Sequence, residues 1–240
     1  MTMDFAYTLY LLLNNDTTIE RSQTKHYVAK WFVMSTLTSR YTGSPETQMD
    51  FDIKRIREKG FLPFFQEVEE ANLSDTFWNV RLVQLLETQV INSPFFNVFL
   101  AAQIYKGNNA LFCNGTKVGY LITLIGDVHH IFPKQYLRNN SYNEKIQYNQ
   151  IANFTYLDTQ VNKDISDAAP NVYFTNAIKQ CEEGNARYGN ITDLNCLKTN
   201  MAENCIPEHI VDMDYSDYPD FLIARRKLMA AKIKDYYYSL

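Results

Sequence analysis

Residues 127–137 read DVHHIFPKQYL, and the fold of the chain turns on how the adjacent histidines in this stretch are read. The chain has four histidines, and His129 and His130 stand side by side, after a β-type run and before Pro133. Successive side chains on a strand point to opposite faces. A strand carrying both histidines therefore sends one imidazole each way. Read alone, the pair fits a polar strand end as well as a site.

The flanking residues give the pair its context. Upstream, GNNALFCNGTK is turn-rich and VGYLITLIGD (118–127) reads as a strand that ends at the histidines. Downstream, the polar stretch NNSYNEKIQYNQ leads to a short apolar run, Phe154–Leu157, predicted as a second strand. TQVNKDI then reads as the first turn of a helix, with Thr159 as its cap. The predicted order is strand, long loop, short strand, helix.

Around this unit the sequence is helical. HYVAKWFVMSTLTSRY (26–41) places Val28, Phe32, Leu37 and Tyr41 near one side of a helix. Ser44 is a cap for PETQMDFDIKRIREKG, which Gly60 ends, and DTFWNVRLVQLLE and SPFFNVFLAAQIY each begin with a capping residue. Helix resumes from Pro170 to about Glu183. After the acidic DMDYSDYPD (212–220), a last helix from Phe221 carries Arg225, Arg226, Lys227, Lys232 and Lys234, with no acid until Asp235. The expected class is mainly α with a small ββα unit, α+β. Its parts are a helical region over 1–110, the strand-bearing unit over 111–175, and a C-terminal helical extension over 176–240 packed on that unit.

Composition sets outer limits. At 240 residues and 46% hydrophobic, the chain can bury a sizeable core. A formal net charge of -4 gives no global basic field of the kind that grips nucleic acid by whole-surface electrostatics. The cysteines, Cys113, Cys181, Cys196 and Cys205, form no CxxC pair, which leaves a closed zinc site unsupported. They read as free thiols in a reducing cytoplasm. The opening MTMDFAYTLYLLLNNDTT lacks a basic flank and reads as a buried helix. No run approaches the roughly 20 apolar residues that cross a bilayer, so no membrane partner is expected.

The spacing allows one chemistry in particular. Metal-assisted phosphodiester hydrolysis needs a cation on the phosphate and a neutral imidazole to take a proton from water. Asn153 opens the second strand, and Asn162, nine residues later, opens the helix, where an amide oxygen can serve as a hard ligand. Lys134 and Lys163 are candidates for phosphate contact, although surface lysines more often face water. Asp127 is as good a turn residue as an orienter of histidine. His26 and His209 read as packing or capping residues, Trp31 and Trp78 as core. The basic last helix reads first as a solvated face and second as a track for a DNA backbone.

His-His-Ile-Phe-Pro, then Asn153 23 residues after His130, then Asn162, resembles the HNH (His-Me finger) nuclease motif on its ββα-metal unit. The resemblance implies that His129 binds a metal, His130 is the general base, Asn153 braces the loop and Asn162 completes the metal site. KWFVMSTLTSRYTGSPETQMDFDIKRI and NQIANFTYLDTQVNKDISDAAPNVYF are similar to the C-terminal half of GmrSD-type restriction proteins, which are type IV, modification-dependent DNA nucleases. Full-length members of that family carry an N-terminal ParB-like nucleotidase domain. These residues show none, and no GxxxxGK[ST] loop, so the chain reads as a fragment, a separate nuclease subunit or a reduced form. The resemblance thus implies a cytoplasmic, metal-dependent DNA endonuclease of antiviral defence, partnered by DNA and by such a nucleotidase domain or subunit. A homodimer is the expected way to cut both strands. Mg²⁺ is the first expectation for the metal, with Mn²⁺, Ni²⁺ or Zn²⁺ compatible with an imidazole ligand. The alternative is a non-catalytic nucleic-acid-binding or assembly module that kept the scaffold.

Overall fold

A computed structural model describes residues 1–124 and 128–240. The chain is mostly helical with one two-stranded sheet, a mainly α or α+β architecture. By its internal contacts it divides into Met1–Leu82 with Ile233–Leu240, and Val83–Lys232.

The first unit holds α1 (Thr2–Asn14), α2 (Arg21–Leu37), α3 (Pro45–Lys59) and α4 (Phe61–Asn72). Its core is aromatic. Trp31 is fully buried and meets the rings of Phe5, Phe61, Phe64 and Phe65. α2 turns Trp31, Met34 and Leu37 inward, whereas Val28 and Phe32 of the expected stripe are only half-buried. Trp31 Nε1 donates to the Tyr41 hydroxyl at 2.9 Å, and that hydroxyl donates to buried Asp52 at 2.7 Å. The Arg40 guanidinium also reaches Asp52, so the charge is paired where it is taken out of water. Ser44 precedes α3 without a side-chain bond to it, and Pro45 at the first turn starts the helix. Over DTFWNVRLVQLLE the helix is wider-wound at Phe77–Arg81, a π turn, before α5 (Leu82–Leu85).

The second unit runs through α6 (Pro94–Tyr105), α7 (Val118–Thr123), β1 (Val128–His130), α8 (Lys134–Asn139), α9 (Lys145–Tyr148), β2 (Phe154–Tyr156) and α10 (Thr159–Ile165). It continues through α11 (Pro170–Glu183) and α12 (Leu194–Glu203). α13 (Tyr218–Ser239) passes from this unit into the residues assigned to the first. Two expectations are corrected here. The run predicted as a strand over 118–127 is helical at Val118–Thr123, and its last three residues, Asp127 among them, lie outside the described residues. A short apolar run does not distinguish a buried strand from a buried helix. What decides it is packing: α7 lies against α6, with Gly119 next to the Ile104 side chain. The last helix begins at Tyr218 rather than Phe221.

Candidate functional site

β1 and β2 pair antiparallel, with Val128 opposite Tyr156, His129 opposite Thr155 and His130 opposite Phe154. The alternation separates the histidines. His129 is 3% exposed, while Val128 and His130 share the more open face. α10 brings Asn162 to His129. Its cap is Asp158, which accepts from the Gln160 amide at 2.8 Å, rather than Thr159. Val161 and Ile165 are buried and anchor the helix, leaving the Asn162 amide oxygen 2.8 Å from His129 Nδ1. Burial pushes the His129 pKa down to about 4, against the Asn162 hydrogen bond and helped by the nearby His130 and Arg225. The ring is therefore neutral at pH 7. Nδ1–H donates to the amide, and Nε2 is buried without a hydrogen-bond partner among the described residues.

His130 is held differently. Its Nε2 lies 2.9 Å from Asn149 Oδ1, and the edge-on Phe154 ring is 4.9 Å away. An amide oxygen can only accept, so Nε2 carries the proton and Nδ1 keeps the lone pair. Burial lowers the pKa of this ring, the Asn149 bond opposes the shift and the Lys134 charge adds to it. A half-buried neutral imidazole with a fixed tautomer is what a general base requires.

Asn153 touches neither ring. It is fully buried in the 3₁₀ turn Ile151–Asn153 that leads into β2. Its Oδ1 accepts from Phe132 N at 2.8 Å, and its Nδ2 donates to Phe132 O at 3.0 Å and to Tyr148 O at 3.2 Å. Ile131 N donates to the Asn153 carbonyl at 2.8 Å. One amide thus closes the chain leaving His130 onto the end of α9, next to Asn149. Tyr173 adds a bond from its hydroxyl to Ile131 O at 2.6 Å.

Two contributors lie outside the sequence reading. Asn149 is one of several polar residues in NNSYNEKIQYNQ and carries no local signal; the fold of the loop selects it. Arg225 was read with Arg226 as part of a basic outer face, and both point inward instead. Arg225 Nη1 donates to Ala152 O at 2.8 Å and Phe154 O at 2.7 Å, and Nη2 to Asn204 O at 3.2 Å. The first two acceptors bracket Asn153. Burial lowers the Arg225 pKa to about 10, so it stays cationic at neutral pH. Arg226 pairs with Glu87 at 2.6 Å. The signal for the inward turn was the helical spacing of Phe221, Leu222, Arg225 and Met229 on one side of α13.

The lysines named for phosphate contact separate as well. Lys134 lies 5.4 Å from the centre of the Tyr148 ring, on the His130 side. Lys163 is exposed on α10 and does not line the open cavity of about 550 Å³ beside His130. Lys145 does.

The resemblance implies a divalent cation, and two donors suit one. His129 Nδ1 and Asn162 Oδ1 are 2.8 Å apart, close to the roughly 3 Å between neighbouring ligands on a cation with bonds of about 2.1 Å; to ligate, Nδ1 would give up its proton and the ring would take the other tautomer, with the hydrogen on Nε2. The imidazole is neutral and the amide offers a hard oxygen. Among the described residues no group of three His, Cys, Asp or Glu assembles a closed metal cage. The pair would supply two ligands of such a cation; with His129 only 3% exposed, its remaining positions are closed to water and phosphate in this conformation.

No protein-family model matches the chain, and no solved structure matches it. An uncharacterized protein of Methanocaldococcus jannaschii is 28% identical over 157 residues, which make up 63% of this chain and 25% of that protein. The chain therefore corresponds to about a quarter of that relative's length.

Proposed function

We propose that the chain is an HNH-type endonuclease that hydrolyses phosphodiester bonds in DNA with a divalent cation, of the GmrSD-like restriction class. The observation that carries this reading is the division of labour along β1: His129 meets Asn162 on one face, and His130 is held as a neutral base on the other. His129 and Asn162 would hold the metal, which when bound supplies a Lewis acid for the phosphate and the leaving oxygen. His130 Nδ1 takes the proton of the attacking water, Asn149 fixes the tautomer that leaves Nδ1 free, and Asn153 keeps the strand end in place.

The wider reading is a cytoplasmic defence enzyme, working beside a ParB-like nucleotidase domain or subunit and pairing with a second copy to cut both strands. Four free cysteines support the compartment, and among the described residues no helix is long and apolar enough to cross a membrane. The second reading is a DNA-binding or assembly module with an inactive scaffold. The closure of His129 on Asn162, with 3% of the histidine exposed, favours it.

Nicking of supercoiled plasmid, with Mg²⁺, with Mn²⁺ and in EDTA, separates the two. The nuclease nicks only with metal and loses at least a hundredfold in rate as His130→Ala. Metal-dependent nicking that survives that substitution removes His130 as the base. DNA binding without nicking favours the inactive scaffold.

A further inference from the structure

We infer that the cavity on the His130 face is the seat of one nucleotide of a DNA strand, with Lys145 on its phosphate and Val90 and Ile91 against its sugar and base. The inference rests on the DNA-nuclease reading and assigns a substrate site within it.

The strand geometry selects the face. Val128 and His130, alternate residues of β1, both line the cavity, together with Phe154 opposite His130. His129, between them, does not. In this conformation His130 is open to solvent from this side, while the side of the ribbon that carries His129 is closed.

The lining suits an anion carrying an apolar body. Lys145 is its cation, exposed at the start of α9, and no carboxylate lines it among the described residues. Gln89 and Asn149 add amides, and because Asn149 spends its oxygen on His130, its Nδ2 is available as a donor to phosphate. Val90 and Ile91 are 54% and 40% exposed. Their loop is anchored at its start, by Ile151 N to Thr88 O at 2.9 Å and by the Glu87–Arg226 ion pair at 2.6 Å, and it is closed by Ser93 N to Val90 O at 2.9 Å. Two apolar side chains are thereby kept in water beside a cation, an arrangement that suits a sugar edge and a base face. A cavity of about 550 Å³ lies within the size range of ordinary ligand sites.

The test is fluorescence anisotropy of a labelled oligonucleotide, single-stranded and duplex, in EDTA so that nothing is cleaved. Lys145→Gln should weaken binding roughly fivefold near 0.1 M salt and reduce the slope of log affinity against log salt by about one. Lys145→Arg should keep the slope. Val90→Ser with Ile91→Ser should weaken binding without changing the slope. No binding by the wild type, or a Lys145→Gln slope equal to the wild type's, overturns the site. Failure of the nuclease reading shows separately, as binding that depends on Lys145 in a protein that never nicks plasmid with metal.

Discussion

Asn149 Oδ1 and His130 Nε2 lie 2.9 Å apart, and this bond decides which nitrogen of His130 is free to act. An amide oxygen accepts only, so it holds the proton on Nε2. A carboxylate in its place would also favour the charged ring. Asn149→Asp should therefore raise the His130 pKa and move the acid limb of kcat/KM upward by about one pH unit. Asn149→Leu should lower kcat at all pH values, because the tautomer is no longer fixed. A pH–rate profile of metal-dependent nicking reads both. An acid limb unmoved by Asn149→Asp would separate His130 from the chemistry.

His129 should make stability pH-dependent in the metal-free protein. Its folded pKa is pushed down to about 4, against about 6.5 unfolded, so the unfolded chain binds the proton more readily. The stabilisation is complete above pH 6.5 and is lost as the pH falls from there to about 4. A shift of this size corresponds to roughly 3 kcal/mol. Urea midpoints in EDTA between pH 7.5 and 4 should fall steeply for the wild type. They should fall less for His129→Gln, which has no ring to protonate.

Asn153→Ala should be among the most damaging single changes in the second unit. It leaves Phe132 N and Phe132 O without their side-chain partner in a site closed to water, and Tyr148 O with only the long bond from the Tyr218 hydroxyl at 3.4 Å. Each unsatisfied buried group costs about 1–3 kcal/mol, so a loss of roughly 3 kcal/mol or more is expected. Asn153→Asp keeps the acceptor for Phe132 N but loses both donations, and it should be nearly as unstable. Thermal melts check this without any assay of activity.

How much of this was legible follows from where the information sits. The short strand at Phe154, the helix over TQVNKDI and the helix from Pro170 to Glu183 are written locally, in β-rich residues, a capping position expected one residue late at Thr159 instead of Asp158, and a proline at the first helical turn. His129, His130, Asn153 and Asn162 are gathered as a set by the resemblance to the HNH motif, and of these the fold brings His129 to Asn162. Val118–Thr123 departs from the expected strand because a short, largely apolar run satisfies either period, and the packing of α7 on α6 that decides between them is tertiary. Asn149 was invisible for the same reason. Arg225 was hidden by its chemistry, since a guanidinium in a run of basic residues is ordinarily a solvent-facing group.

Arg225 gives the last prediction. It is a fully buried cation whose three acceptors are main-chain carbonyls, two of them flanking Asn153 and the third that of Asn204. Asn204 in turn donates to Asn109 O at 3.0 Å and to Asn200 O at 2.9 Å, so the guanidinium links β2 to the end of α12. Arg225→Met has a similar stem and removes the charge, leaving the carbonyls unpaired. With up to three buried carbonyls losing their donor at about 1–3 kcal/mol each, it should cost roughly 3 kcal/mol or more. Arg225→Lys keeps the charge but cannot span three carbonyls with a forked donor, and should recover part of the loss. The charge also reaches His129 and helps to keep it neutral. In Arg225→Met the folded pKa of His129 should therefore rise toward its unfolded value, and stability should fall less steeply between pH 6.5 and 4 than in the wild type, while in Arg225→Lys the pH dependence should stay close to the wild type. Equal stability loss in the two variants, with no difference in their acid transitions, would make Arg225 a packing residue alone.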